Sequence, residues 1–464
     1  MITTLDQTEP RIAPRTTKPA PSPADSAPTK TAMNMSEMLA TFANADAAPG
    51  PVWLEEKRRS ARARAATAGF PTTYDEEWRF TRLKSLLEQP LHPARNAGGA
   101  LTESEIAGFV LGKDWPRLVF LDGHYCPQLS LVPDPEKGMQ LSNLRTALAN
   151  GAPELEHHLT EVADDKALVF TALNTAFFGD GAFVCVAPDK SIEQPVHLLY
   201  LSTGTSAGAT AHLRNFVSVG ARSDIIVLEH YLSLGSEPYF TNAVTEWVLA
   251  DAARADHCKI QEENRRAVHI AAVMAQQARA SRFASHSVSI GAHLARHQIQ
   301  TAFQGENGYC VLNGLYMGRG DQTVDHHTVV DHAKACCESH EYYHGILAGR
   351  AHGVFNGKIF VRQDAQKTNA KQNNRNLLLT DEAVIDTKPQ LEIFADDVKC
   401  THGATVGQID EEAIFYLRAR GIGLEQARQI MVRAFANDVV QRIPIEPVRA
   451  HLDKLLTERL KDKV

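Results

Sequence analysis

The stretch FVSVGARSDIIVLEHYLSL, residues 216–234, sets two apolar runs on either side of a polar corner that begins at Gly220. The runs are too short for a helix of ordinary length, and the corner between them breaks any 3.6-residue period. Each therefore reads as a buried or half-buried strand. The same texture recurs in FVCVAPD (183–189), VHLLYLS (196–202), AVHIAAVMAQQ (267–277), SHSVSIG (285–291) and ARHQIQTAFQG (295–305). It continues in YCVLNGLYMG (309–318), GVFNGKIFV (353–361) and LEIFADDVKC (391–400). A core of strands is thus predicted over 156–408. Two-residue hairpin signals are sparse there, with Asn307-Gly308, Asn313-Gly314 and Asn356-Gly357 the exceptions, and the segment is long for one sandwich. Stacked coils forming a β-solenoid fit better, although no strict repeat is legible.

Working outward, residues 33–155 read as a mainly helical region. VWLEEKRRSARARAATAGFP (52–71) closes on Gly69 and Pro71, a helix stop. DEEWRFTRLKSLLEQP (75–90) has helical spacing, and Thr102 with Glu105 forms a capping pattern. The arginines from 58 to 64 read as a solvated helix face. Residues 1–32, rich in Pro, Thr, Ser and Ala, read as a disordered tail without enough apolar surface to offset chain entropy. After Ile409 the helical period returns over 409–464. One apolar stripe runs through Leu424, Ala427, Met431, Ala434 or Phe435, and Val439, and Pro447 sits in the first turn of a last helix.

Bulk properties narrow the function. The 464 residues carry a formal charge of −7, which argues against general nucleic-acid binding. No stretch approaches a membrane span, and the N-terminus lacks the apolar block of a secretory signal, so a cytoplasmic chain is expected. The seven cysteines (126, 185, 258, 310, 336, 337 and 400) are irregularly spaced without a CxxC, and read as free thiols. Neither a Walker lysine motif nor a convincing GxGxxG is present.

Two constellations carry candidate chemistry. Cys400 and His402 share one face of a strand if the local structure is extended, as does Val398. The pair is half of a tetrahedral metal site, a nucleophilic dyad, or core packing. Nothing nearby signals a cysteine hydrolase, and the residues alone leave packing and a half-site open. The histidines of DQTVDHHTVVDHAKACCESHEYYHG (321–345), at 326, 327, 332, 340 and 344, match no standard zinc spacing and are expected on mixed faces as structural groups.

AHGVFNGKIFVRQDAQKTNAKQNNRNLLL (351–379), PQLEIFADDVKCTHGATVGQIDEEAIFYLRARGI (389–422) and DEEWRFTRL (75–83) together resemble the SufD branch of the SufB/SufD family, components of the SUF iron–sulfur cluster assembly system. The resemblance is close from Glu338 to Arg442 and looser back to Thr72. SufB proteins carry an acidic–His–acidic triplet where this chain has Cys400, Thr401 and His402, and a further cysteine region not found here. The resemblance implies a mainly β protein, a right-handed parallel β-helix flanked by helical N- and C-terminal regions. It implies a non-catalytic scaffold that pairs with SufB through the β-helix and binds the SufC ATPase through the C-terminal helices; a homodimer of the chain alone, storing or delivering iron without SufB, is a separate alternative. It further implies His402 and Cys400 as ligands of a transient iron–sulfur cluster or iron shared with SufB, and a reduced flavin on the complex, for which the chain shows no motif. A carbohydrate-active β-helix enzyme, with paired carboxylates in an outer groove, is the reading from another class.

Overall fold

The computed structural model describes residues 32–43, 50–95, 101–134, 138–163 and 168–461, so the expected tail lies outside the described residues up to residue 31. Two ten-stranded sheets face each other, and the chain passes from one to the other in successive strands. One sheet runs from Arg117–Leu121 through Val196–Ser202 to Lys399–Gly407, and the other from Met139–Asn143 through Ala209–Val219 to Val384–Ile393. From Val196 onward every described pairing is parallel, between strands one coil apart. The molecule is a parallel β-helix of about eight coils flanked by N- and C-terminal helices, as expected.

Each strand sends alternate side chains into the bore and out to the flanks. In-register positions of successive coils stack, so an inward column is a chain of like contacts. Phe120, Tyr200 and Tyr231 stack with ring centroids 5.1 Å and 4.6 Å apart, each pair contributing about 0.5–1.5 kcal/mol beyond its burial. Gly314 and Gly357, expected as hairpin signals, instead lie mid-strand. A Cβ on Gly314 would sit 2.1 Å from the Tyr343 ring, and one on Gly357 would sit 2.2 Å from Gln372. These glycines make room for a neighbouring coil's side chain.

Strands of the first sheet begin 27 to 31 residues apart from Val196 onward. One corner of each coil holds a residue in the left-handed region: Asp189, Arg222, Ala252, Ala280, Asn307, Cys336 and Lys367. At this corner the N–H of each donates to a carbonyl of the following coil, as Ala252 does to Arg279 at 2.8 Å and Lys367 to Asp397 at 2.6 Å. Gained pairing thus offsets the steric cost of φ near 60° in L-residues.

The helical flanks pack on the outer faces. Val52–Ala68 ends at Gly69 (φ 69°) as expected. Its Arg58 is not solvated: it is 2% exposed, donates to the Phe178 carbonyl at 3.1 Å and to Glu55 at 2.7 Å, and lies over the Phe178 ring. DEEWRFTRLKSLLEQP is not one helix but a 3-10 turn, Glu76–Trp78, and a four-residue helix, Lys84–Leu87. Its side chains grip the sheet instead: Arg296 lies 3.9 Å above the Trp78 ring, and Thr81 donates to Asp325 at 2.5 Å. This region also supplies strands Arg117–Leu121 and Met139–Asn143, while helix Val169–Phe177 follows Glu156.

At the other end, helices Leu424–Val440 and Glu446–Lys461 cover Leu228, Ile260, Val288, Leu315 and Ile346. The buried stripe of the first is Ala427, Val432, Ala436, Val439 and Val440; Met431 is only partly covered and Ala434 is exposed.

Candidate functional site

Strand Lys399–Gly407 is the last rung of its sheet and, among the described residues, pairs only with Asn369–Leu378. In register, Cys400 stands over Ala370, and His402 over Gln372. Ala370 and Gln372 are buried in the bore, so the thiol and the imidazole belong to the inward side of a coil that no further coil covers. Cys400 is half-buried against the core together with Val398, while His402 is exposed. Burial pushes the Cys400 thiol above its ordinary value, opposed by a backbone hydrogen bond at Ala370. Around this end Val384, Ile393, Phe394 and Val406 are exposed, Phe394 by 63%. A thiol and an imidazole two residues apart on one strand can supply two soft or borderline ligands to iron and leave its other positions open.

The floor beneath this pair escaped the sequence reading. Gln372 stands in register over Glu341, one further coil down. Glu341 is fully buried and accepts from Thr328 Oγ1 at 2.6 Å and from Gln372 Nε2 at 3.1 Å. Burial pushes its carboxyl up to about 7, and these two hydrogen bonds pull it only part of the way back. His402, Gln372 and Glu341 thus form one column in which a proton donor or acceptor lies under each polar group. The signal was present as the alternation of ESHEYYHGILAG, which places Glu341 on the inward side.

Deeper in the bore lies a second cluster of polar side chains. Lys259 lies 2.7 Å from His269, which contacts Glu263 at 2.7 Å, and Glu229 accepts from Tyr231 and Thr245 at 2.7 Å each. Burial brings Lys259 down to about 8, against the pull of Glu229 and Glu263. The histidines of 321–345 are dispersed as expected. His326 and His332 are in the bore, His327 faces Glu77, His340 faces Glu338, and His344 stacks on Phe435. Cys336 is exposed at a corner and Cys337 is buried.

A β-helix with helical flanks and a polar end defines a class, and comparison with known proteins gives the family. The SufBD core domain of SUF system FeS cluster assembly matches residues 201–435, and the SufBD protein N-terminal region matches residues 48–198. The chain belongs to the SufBD family of iron–sulfur cluster assembly proteins. It is 33% identical to the iron–sulfur cluster assembly protein SufD of Escherichia coli over 397 residues, covering 84% of this chain and 90% of the relative. A SufBD family protein of Synechocystis is 31% identical over 415 residues (88% and 91%), and SufD of Bacillus subtilis 25% over 425 residues (89% and 95%). These relatives are named as assembly proteins rather than as enzymes. Among the described residues no helix is long and apolar enough to cross a membrane.

Proposed function

We propose that this chain is a non-catalytic scaffold subunit of the SUF system in the cytoplasm, pairing through its open β-helix end with SufB and docking the SufC ATPase on its C-terminal helices. Iron or a nascent iron–sulfur cluster is the cargo, with His402 and Cys400 as this chain's share of its ligands. Any reduced flavin belongs to the assembled complex. The observation that carries the reading is the uncovered last coil, whose inward side presents a thiol and an imidazole beside exposed Phe394 and Val406. An interface there would bury the apolar rim and complete the coordination from the partner's side. Phe415 (75% exposed) and Tyr416 on helix Glu411–Arg418 offer the apolar anchors that a docking ATPase would cover.

The test is co-expression with SufB and SufC, followed by anaerobic addition of iron and sulfide. The His402→Ala variant is expected to fold and co-purify with both partners yet lose the visible sulfide-to-iron absorption. Wild-type absorption from that variant would remove the site assignment. Recovery of this chain only as a homodimer in the presence of both partners would remove the partner assignment.

A further inference from the structure

Where the last helix crosses the solenoid, away from the open end, three metal-ligating side chains converge. His230 projects outward from strand Asp224–Ser233, Glu262 follows directly after strand Arg254–Gln261, and His451 lies on helix Glu446–Lys461. Glu262 Oε1 is 2.5 Å from His230 Nε2 and 2.9 Å from His451 Nε2, and one ligand atom from each residue falls within 4.8 Å of the others. The two imidazole planes meet at 72° with centroids 5.4 Å apart, so their nitrogens approach the carboxylate from different directions.

Charge and burial separate this cluster from an ordinary surface contact. Glu262 is 12% exposed, His451 17%, and His230 is fully buried. The two histidines are its ion-pair partners, with no lysine or arginine on the carboxylate among the described residues. A buried carboxylate is either paired or coordinates a metal, and two imidazoles beside it can serve either arrangement. Under this group lies His197, fully buried and stacked on His230 at 5.7 Å. Neither of its ring nitrogens has a hydrogen-bond partner.

We infer that His230, Glu262 and His451 form a binding site for a divalent first-row metal ion of the zinc or ferrous class, which pins the C-terminal helix to the β-helix. Two imidazoles and one carboxylate are a ligand set that such ions take with further positions left for water. With bonds of about 2.0–2.1 Å, tetrahedral ligand atoms stand about 3.3 Å apart, so the two carboxylate contacts open by less than about 1 Å to admit the ion, while the imidazole nitrogens start within 4.8 Å of each other. Partial exposure of His451 gives the ion a way in. Binding replaces the contacts that both Nε2 atoms now make with Glu262 Oε1. The site is separate from Cys400 and His402 and does not rest on their role.

The test uses the full chain carrying Cys400→Ser and His402→Ala, which removes the other candidate ligands, titrated with cobalt(II) as the probe. One equivalent is expected to bind with visible ligand-field absorption. In that background Glu262→Gln and His451→Gln should each weaken binding by more than about 100-fold, beyond what losing a mere supporting partner costs. X-ray absorption of the cobalt-loaded parent should count two imidazole nitrogens and no sulfur, a readout that stands even where a variant misfolds. Absence of stoichiometric binding, affinity unchanged in both variants, or a ligand shell without imidazole would each overturn the site.

Discussion

At the scale of single residues, the column His402–Gln372–Glu341 joins the exposed pair to the interior. Glu341 has a folded-state value of about 7 against an ordinary 4.5, raised by burial. A raised carboxyl favours the folded state while protonated. That contribution is complete below about pH 4.5 and is lost as pH rises through about 7, a change of roughly 3 kcal/mol. Glu341→Gln, neutral at every pH, should flatten this part of the stability–pH curve, as read by denaturant unfolding at pH 5 and pH 8. Equal slopes for the two proteins would show that the carboxyl ionises freely in the fold. Cys400 and His402 were legible because they sit two residues apart in one motif. Glu341 was not, because register alone brings it beneath them, 61 positions back in the chain.

At the scale of elements, the strands were readable from their apolar runs, whereas the repeat was hidden for two physical reasons. Coil length drifts between 27 and 31 residues. The left-handed corner is filled by alanine, arginine, cysteine and lysine rather than by glycine, with inter-coil backbone hydrogen bonds holding it. Ala252→Gly and Ala280→Gly should therefore stabilise the protein by about 1 kcal/mol each through relief of the left-handed strain. A loss of similar size in thermal unfolding would place those residues in ordinary backbone. The N-terminal flank is tied to the sheet by Glu246, which accepts from the Thr160 and Ala163 N–H groups at 2.9 Å and from Arg214 Nε at 2.8 Å. Glu246→Gln leaves a buried guanidinium without its counter-ion and should cost about 3–5 kcal/mol. An unchanged denaturation midpoint would mean that Arg214 and Glu246 are not paired there.

At the scale of the whole molecule, the β-helix is closed along its flanks and open at one end. The C-terminal helices are part of its core rather than a detachable arm: Val432, Ala436, Leu452 and Leu456 share one apolar cluster with side chains of six coils. Deleting residues after Ile409 should produce aggregation as well as loss of any partner. The sharper variant is Phe415→Glu with Tyr416→Glu, which should leave thermal stability within about 0.5 kcal/mol, as for exposed positions, while preventing co-purification with the SufC ATPase. Undiminished co-purification would move the docking surface elsewhere. The central claim, that the uncovered coil supplies a nitrogen ligand to the cargo, is tested most directly by hyperfine spectroscopy on a reduced, reconstituted complex in which only this chain carries nitrogen-15 histidine. The account predicts one strongly coupled nitrogen that disappears in His402→Ala. A spectrum without such a coupling, or one that survives the substitution, would contradict it.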